Sequence, residues 1–170
     1  LEARSAGGDV RPVASPLEVL AMARERPDRP VVFFATGFET TIAPVAAMLA
    51  QDPPDNLWVL LSGRRTWPVV DSLLASGTPG FQALIAPGHV ATVMGAEEWR
   101  FVAERYRMPV AIAGFSAGSL LEASAAVLAQ LRDGRAELEN CYPEAVRPEG
   151  NPGARRLMEQ TLRIVDVRHE

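Results

Sequence analysis

Three short stretches of this 170-residue chain carry residue types that can do chemistry. The first, Thr36-Gly37-Phe38-Glu39-Thr40-Thr41, follows an apolar run at 31–35. Gly37 lets the backbone turn sharply, and Thr40 or Thr41 can cap a following helix whose free amides would face an anion or carboxylate. The plain reading is a capped strand-to-helix turn in which Glu39 complements the helix dipole. The second, Ala86-Pro87-Gly88-His89-Val90-Ala91-Thr92, follows a run at 83–86. A histidine beside glycine at a strand end can serve as acid, base, ligand or hydrogen-bond donor near neutral pH, or simply pack at the turn. The other histidine, His169, lies near the end of the sequence and is expected to be solvated.

The third stretch is Ala113-Gly114-Phe115-Ser116-Ala117-Gly118-Ser119, between an apolar run and the longest helical pattern. Gly114-Phe115-Ser116-Ala117-Gly118 matches the G-x-S-x-G nucleophile elbow of serine hydrolases in the strand-turn-helix context that motif requires. Asp166 and His169 follow in the right order, but only three residues apart, whereas a triad draws its acid and histidine from separate loops. A string of small residues also makes an ordinary helix start packed closely on a sheet. Cys141, in Glu139-Asn140-Cys141-Tyr142-Pro143, has no cationic neighbour to lower its pKa and reads as a structural thiol. Dinucleotide and Walker phosphate loops are missing from the sequence, as is any aromatic-basic stripe for RNA.

The elements that position these stretches are legible from periodicity. Apolar runs at 10–14, 31–35, 57–61, 83–86 and 110–113 are nearly continuous in Val, Ile, Leu, Phe and Ala. Strands buried on both faces of a parallel sheet read that way, whereas one-sided strands alternate. Helical patterns lie between them. One starts at Ser15-Pro16 and is closed by Pro27, and others cover 41–50, 67–75, 96–106 and 119–132. Residues 142–152 read as a Pro-rich loop, followed by a short helix at 152–160 and a last strand at 162–167. The alternation predicts an α/β fold: a three-layer sandwich with a mostly parallel sheet and Rossmann-like topology, spanning 1–170 as a single domain. Ligands of such sheets bind at the carboxyl ends of the strands, where all three stretches fall.

Composition narrows the functional classes. The net charge of −4 gives no reason to expect nucleic acid or an acidic membrane as partner. All 17 cationic residues are arginines and they are scattered. One cysteine allows neither an intrachain disulfide nor a multi-cysteine metal cage, which favours the cytoplasm. No apolar run approaches the roughly 20 residues needed to span a bilayer. The sequence opens Leu1-Glu2-Ala3-Arg4 without an initiator methionine, so a fragment of a larger protein is expected. Trp58, Trp67 and Trp99 could anchor a docking partner, and core burial is the expected fate of each.

Taken as an ordered set, the motifs resemble the middle of the HypD hydrogenase-maturation family. The matching pieces are G-D-V-R-P-V-A-S-P-L at 8–17, P-D-R-P-V-V-F-F-A-T-G-F-E-T-T at 27–41 and A-P-G-H-V-A-T-V-M-G at 86–95. After these come M-P-V-A-I-A-G-F at 108–115, G-R-A-E-L-E-N-C-Y at 134–142 and R-P-E-G-N-P-G-A at 147–154. The resemblance implies the family's role, as an iron-sulfur scaffold on which the Fe(CN)2CO unit of [NiFe]-hydrogenase is assembled. It further implies a small partner, HypC, and HypE as the protein that delivers cyanide.

The cysteines that bind iron and the [4Fe-4S] cluster in that family lie outside the matched stretch. No metal ligand and no cofactor is therefore expected in this chain, which on its own is not expected to be a complete catalyst. Cys141 stands where the family has glutamine. The family's G-F-E-P is here Gly114-Phe115-Ser116-Ala117, segment 62–68 with Arg64, Arg65 and Trp67 departs from its counterpart, and Ala86 replaces a glycine. The site expected from the resemblance is a cleft wall made by Gly37, Phe38, Glu39, Thr40, Thr41, Pro87, Gly88, His89 and Thr92, with Glu149 and Asn151 beside it. A serine hydrolase and a protein-docking module are the alternatives.

Overall fold

Ser15 ends an irregular N-terminal stretch by capping the first long helix. Its Oγ accepts from the Leu17 amide at 3.2 Å, and Pro16 occupies the first helical position, where no N–H is needed. The computed structural model of the chain describes residues 2–77 and 79–165. A single helical turn, α1 (Glu2–Ser5), precedes α2 (Pro16–Glu25). Residues 10–14, expected to be a strand, are irregular and mostly exposed. Pro12 removes a ladder donor there, and no neighbouring strand offers a partner.

The strands are parallel throughout, as expected, and they fall into two sheets. In the first, β1 (Val31–Gly37) pairs with β2 (Leu57–Gly63), with Val31 opposite Leu57. The crossover between them is α3 (Glu39–Leu49), two residues longer at its start than the periodicity suggested. Phe33, Ala35, Leu57 and Val59 pack inward against Leu20, Val45 and Met48 of α2 and α3. The opposite face is bare: Val32, Phe34, Trp58 and Leu60 are each 59–67% exposed. Parallel sheets are rarely left open in this way, so the continuous apolar runs here misreport one-sided burial. Trp58, expected in the core, belongs to that open face.

The second sheet has order β3-β4-β5, built from β3 (Leu84–Pro87), β4 (Val110–Ala113) and β5 (Leu138–Asn140). Strand β4 is buried along its whole length. Its Ala111 and Ala113 pack toward α7 (Ala117–Arg132), while Val110 and Ile112 pack toward Trp99 and Val102. Those two residues come from a 3-10 turn (Ala96–Trp99) and α6 (Arg100–Tyr106), which follow α5 (Gly88–Met94). This sheet is therefore the three-layer unit expected. Helix α4 (Thr66–Ala75) closes its outer side through Leu74, with Asp71 accepting from Arg105 at 2.9 Å and from the Tyr106 hydroxyl at 2.7 Å. The last helix, α8 (Pro152–Thr161), lies across α3 and α5 and joins the two halves.

Three elements were not legible from periodicity: α1, α5 and the three-residue β5. The strand expected at 162–167 is irregular over 162–165, and its remainder lies outside the described residues. Among the described residues no helix is long and apolar enough to cross a membrane.

Candidate functional site

Helix α3 starts at the end of β1 and α5 at the end of β3, so both present their first turns at the carboxyl ends of parallel strands. Together with α8 they enclose an open groove of about 500 Å3. Thr40, Ala43, Pro44 and Ala47 line it from α3, His89, Thr92 and Val93 from α5, and Ala154 and Leu157 from α8. The floor is apolar, and two hydroxyls and an imidazole stand at its edges.

Local sequence explains each placement. Gly37 has φ +147, and a β-carbon there would lie 2.5 Å from Thr41 Oγ1, so only glycine lets the chain leave β1 at this angle. Phe38 is the N-cap residue of α3 and makes no side-chain cap. Pro44 lies inside α3 and has no N–H to give the Thr40 carbonyl four residues earlier. Pro87 precedes α5, and Gly88 is buried where a β-carbon would lie 2.8 Å from Tyr142 Cδ1. That close approach sets His89 outward on the second residue of the helix rather than in a loop.

His89 is exposed, and its ring meets Phe115 edge to face at 4.6 Å between centroids, with Tyr142 at 6.5 Å. Two aromatic rings thus restrain the imidazole without consuming either nitrogen in a hydrogen bond. The Thr92 hydroxyl donates to the His89 carbonyl at 2.7 Å and keeps its oxygen lone pairs free to accept. An apolar floor edged by such groups suits a compact ligand with a few hydrogen-bonding atoms and little need of full charge pairing.

The structure brings Thr40, His89 and Thr92 to one groove and sends other expected site residues elsewhere. Glu39 is 2% exposed and faces away from the groove into the protein. Its carboxylate accepts from the Thr66 amide and the Thr66 hydroxyl, both at 2.7 Å, and so caps α4 from the first residue of α3. Arg65 stands beside it, with Nε 3.9 Å from Glu39 Oε1, and pairs through Nη2 with Glu98 Oε1. Thr41 is exposed and does not line the groove. Asn151 caps α8, its side chain accepting from the Ala154 amide at 3.0 Å. Glu149 is exposed, and its carbonyl accepts from Arg155 at 3.0 Å.

The Glu39–Arg65–Glu98 cluster was missed at the level of sequence. A carboxylate in a strand-to-helix turn and an arginine pair at 64–65 are its only local signals.

Ser116, the elbow serine, is the N-cap of α7, with Oγ accepting from the Ser119 amide at 3.2 Å. Ser119 in turn ties the loop to β5, accepting from the Gly114 amide and donating to the Cys141 carbonyl. Asp166 and His169 lie outside the described residues. Burial pushes the Cys141 thiol up to about 11, with Glu139 and Glu122 adding to the effect. A single buried thiol held protonated does not fit the four-thiolate set of an iron-sulfur cluster.

Comparison with known proteins is consistent over the whole span. The model of the HypD family, described as a hydrogenase formation hypA family, matches residues 1–169. A hydrogenase maturation factor HypD of Azotobacter vinelandii is 39% identical over 99% of this chain and 46% of its own length. A putative hydrogenase expression/formation protein of Methanocaldococcus jannaschii is 37% identical over 98% of the chain and 47% of its own. HypD of Escherichia coli is 36% identical over 89% of the chain and 41% of its own. The chain spans about half the length of the curated relatives it matches. None of this supports the serine hydrolase alternative.

Proposed function

The chain belongs to the HypD family of hydrogenase-formation proteins, and on that premise we propose that it acts in hydrogenase maturation. In this reading the groove between α3, α5 and α8 is one wall of the cleft in which the Fe(CN)2CO unit of [NiFe]-hydrogenase is assembled. The observation that carries the reading is the meeting of Thr40 with His89 and Thr92. These residues lie about 50 positions apart in the sequence and on different helices, yet they edge the same groove. An iron-bound cyanide or carbonyl is a compact, weakly basic acceptor. It is held best by a few preset donors, and the Thr40 hydroxyl and the His89 imidazole over an apolar floor can supply them.

The iron unit is the cargo in this reading, and cysteines beyond the matched span hold the metal chemistry. The partners are other maturation proteins, a HypC-like carrier and a HypE-like cyanide donor, and the setting is the cytoplasm. The chain by itself is a wall of the site and not a complete catalyst.

The test places His89→Ala and Thr40→Val in the natural protein that carries this chain and measures active [NiFe]-hydrogenase formed in a host lacking its own HypD. At least a tenfold loss of active hydrogenase is expected from each variant, with the melting temperature moved by no more than about 2 °C. Full maturation in both variants removes these residues from the site.

A further inference from the structure

The two sheets share no backbone ladder, so the width of the groove depends on what ties one half to the other. Thr40 belongs to the half built on β1 and β2, whereas His89 and Thr92 belong to the half built on β3 to β5. Helix packing of α3 on α5 and α8 is one tie. The polar cluster is another, and it is placed at the groove's edge in sequence terms on both sides. Glu39 is the residue before Thr40, and Glu98 sits on the 3-10 turn that continues α5. Arg65, from the loop after β2, reaches both carboxylates. We propose that Arg65 is a positioning residue, which by bridging Glu39 and Glu98 holds the lip bearing Thr40 at a set distance from the lip bearing His89 and Thr92.

Several features distinguish this arrangement from a surface ion pair. Glu39 is 2% exposed and the Glu98 side chain 12%. Arg65 is itself two-thirds buried and lies 6.0 Å from the centre of the Trp67 ring, which restricts where the guanidinium can go. Thr66, adjacent in sequence, holds both oxygens of the Glu39 carboxylate, its amide on Oε1 and its hydroxyl on Oε2, so the acid cannot turn away. The match is incomplete: Arg65 Nε and Glu98 Oε2 are buried without a hydrogen-bond partner. Two carboxylates also share one guanidinium. An imperfect buried pair of this kind does little for stability, and its use is to specify one geometry over others. Glu98 is faced by Arg65 from the loop after β2, by Glu39 from α3 and by Arg155 from α8, so two of the three helices around the groove bear on it.

The inference rests on the groove reading above for its function, and its geometry can be tested without that reading. Spin labels at Ala50→Cys and Glu104→Cys, in a Cys141→Ser background, place one probe on each half of the full chain. Double electron–electron resonance then reads the separation. The unmodified tie should give one narrow distance. Arg65→Met should shift that distance or broaden it at least twofold, with Arg65→Lys intermediate. Glu98→Gln, which removes one charge without stranding the guanidinium from Glu39, should broaden it less and guards against a fold lost in Arg65→Met. Distances that are the same in Arg65→Met and Glu98→Gln as in the parent overturn the proposal. In maturation assays Arg65→Met should fall at least fivefold and Arg65→Lys should recover part of the loss. A moved distance with full maturation in Arg65→Met overturns its link to the site, and normal maturation in His89→Ala as well would locate the fault in the groove reading instead.

Discussion

Gly95 and Gly150 meet backbone to backbone: a β-carbon on Gly150 would lie 2.5 Å from the Gly95 nitrogen, and both residues have positive φ. Around this contact the Asn151 amide donates to the Val93 carbonyl and the Ala96 amide to the Arg147 carbonyl, both at 3.0 Å. The Pro-rich loop is thereby fastened to the end of α5, and α8, which starts at Pro152, is delivered to the groove. Two short motifs far apart in the sequence are thus the two halves of one joint.

Alanine at either glycine needs a strained backbone and pushes the joint apart. Gly150→Ala and Gly95→Ala should each cost about 1–3 kcal/mol in urea unfolding. Gly118→Ala, where an added β-carbon meets nothing within 4 Å, should be neutral or stabilising by up to about 1 kcal/mol. Equal effects at all three positions would argue against the joint.

Glu39 is a buried acceptor of two hydrogen bonds beside a guanidinium, so its removal strands Thr66 and Arg65 together. Glu39→Ala should cost about 3–5 kcal/mol. Thr66→Val, which keeps the amide bond and loses the hydroxyl one, should cost about 1–2 kcal/mol. Urea midpoints would decide, and a surface-like cost below about 0.5 kcal/mol for Glu39→Ala would refute the buried cap.

Burial pushes the Glu98 carboxyl above its ordinary value near 4.5, Arg65 opposes this, and Glu39 adds to it. An acid that binds its proton more tightly folded than unfolded contributes stability that is complete below the unfolded pKa. That contribution is lost as pH rises through the higher folded value. Comparing parent with Glu98→Gln between pH 4 and 7, the parent should lose stability relative to the variant as pH rises. A difference that stays flat, or runs the other way, would contradict the assigned environment.

Cys141 is buried with its thiol at about 11, so little thiolate exists at neutral pH. Reaction with a disulfide reagent at pH 8 should be at least a hundredfold slower in the native protein than in 6 M guanidinium. Rapid native labelling would place the thiol at the surface.

The class of fold was legible in the sequence because helix caps and apolar runs are local. Ser15 and Pro16 mark the start of α2. The runs at 31–35, 57–61 and 110–113 mark strands whose parallel pairing follows from the helices between them. The meeting of Thr40 with His89 was legible only in part: each follows a parallel strand, but β1 and β3 lie in different sheets, and the packing of α3 on α5 and α8 brings the two together. Several features were decided only by tertiary structure: which strands pair, that one sheet face stays open at Trp58 and Phe34, and that residues 10–14 find no partner. The turn of Glu39 inward to Thr66 and Arg65 belongs with these, as does the closing of Gly95 on Gly150. Each depends on atoms brought together from distant positions. A residue's type and near neighbours state what it can bond to, and only the packed chain states which bond is within reach.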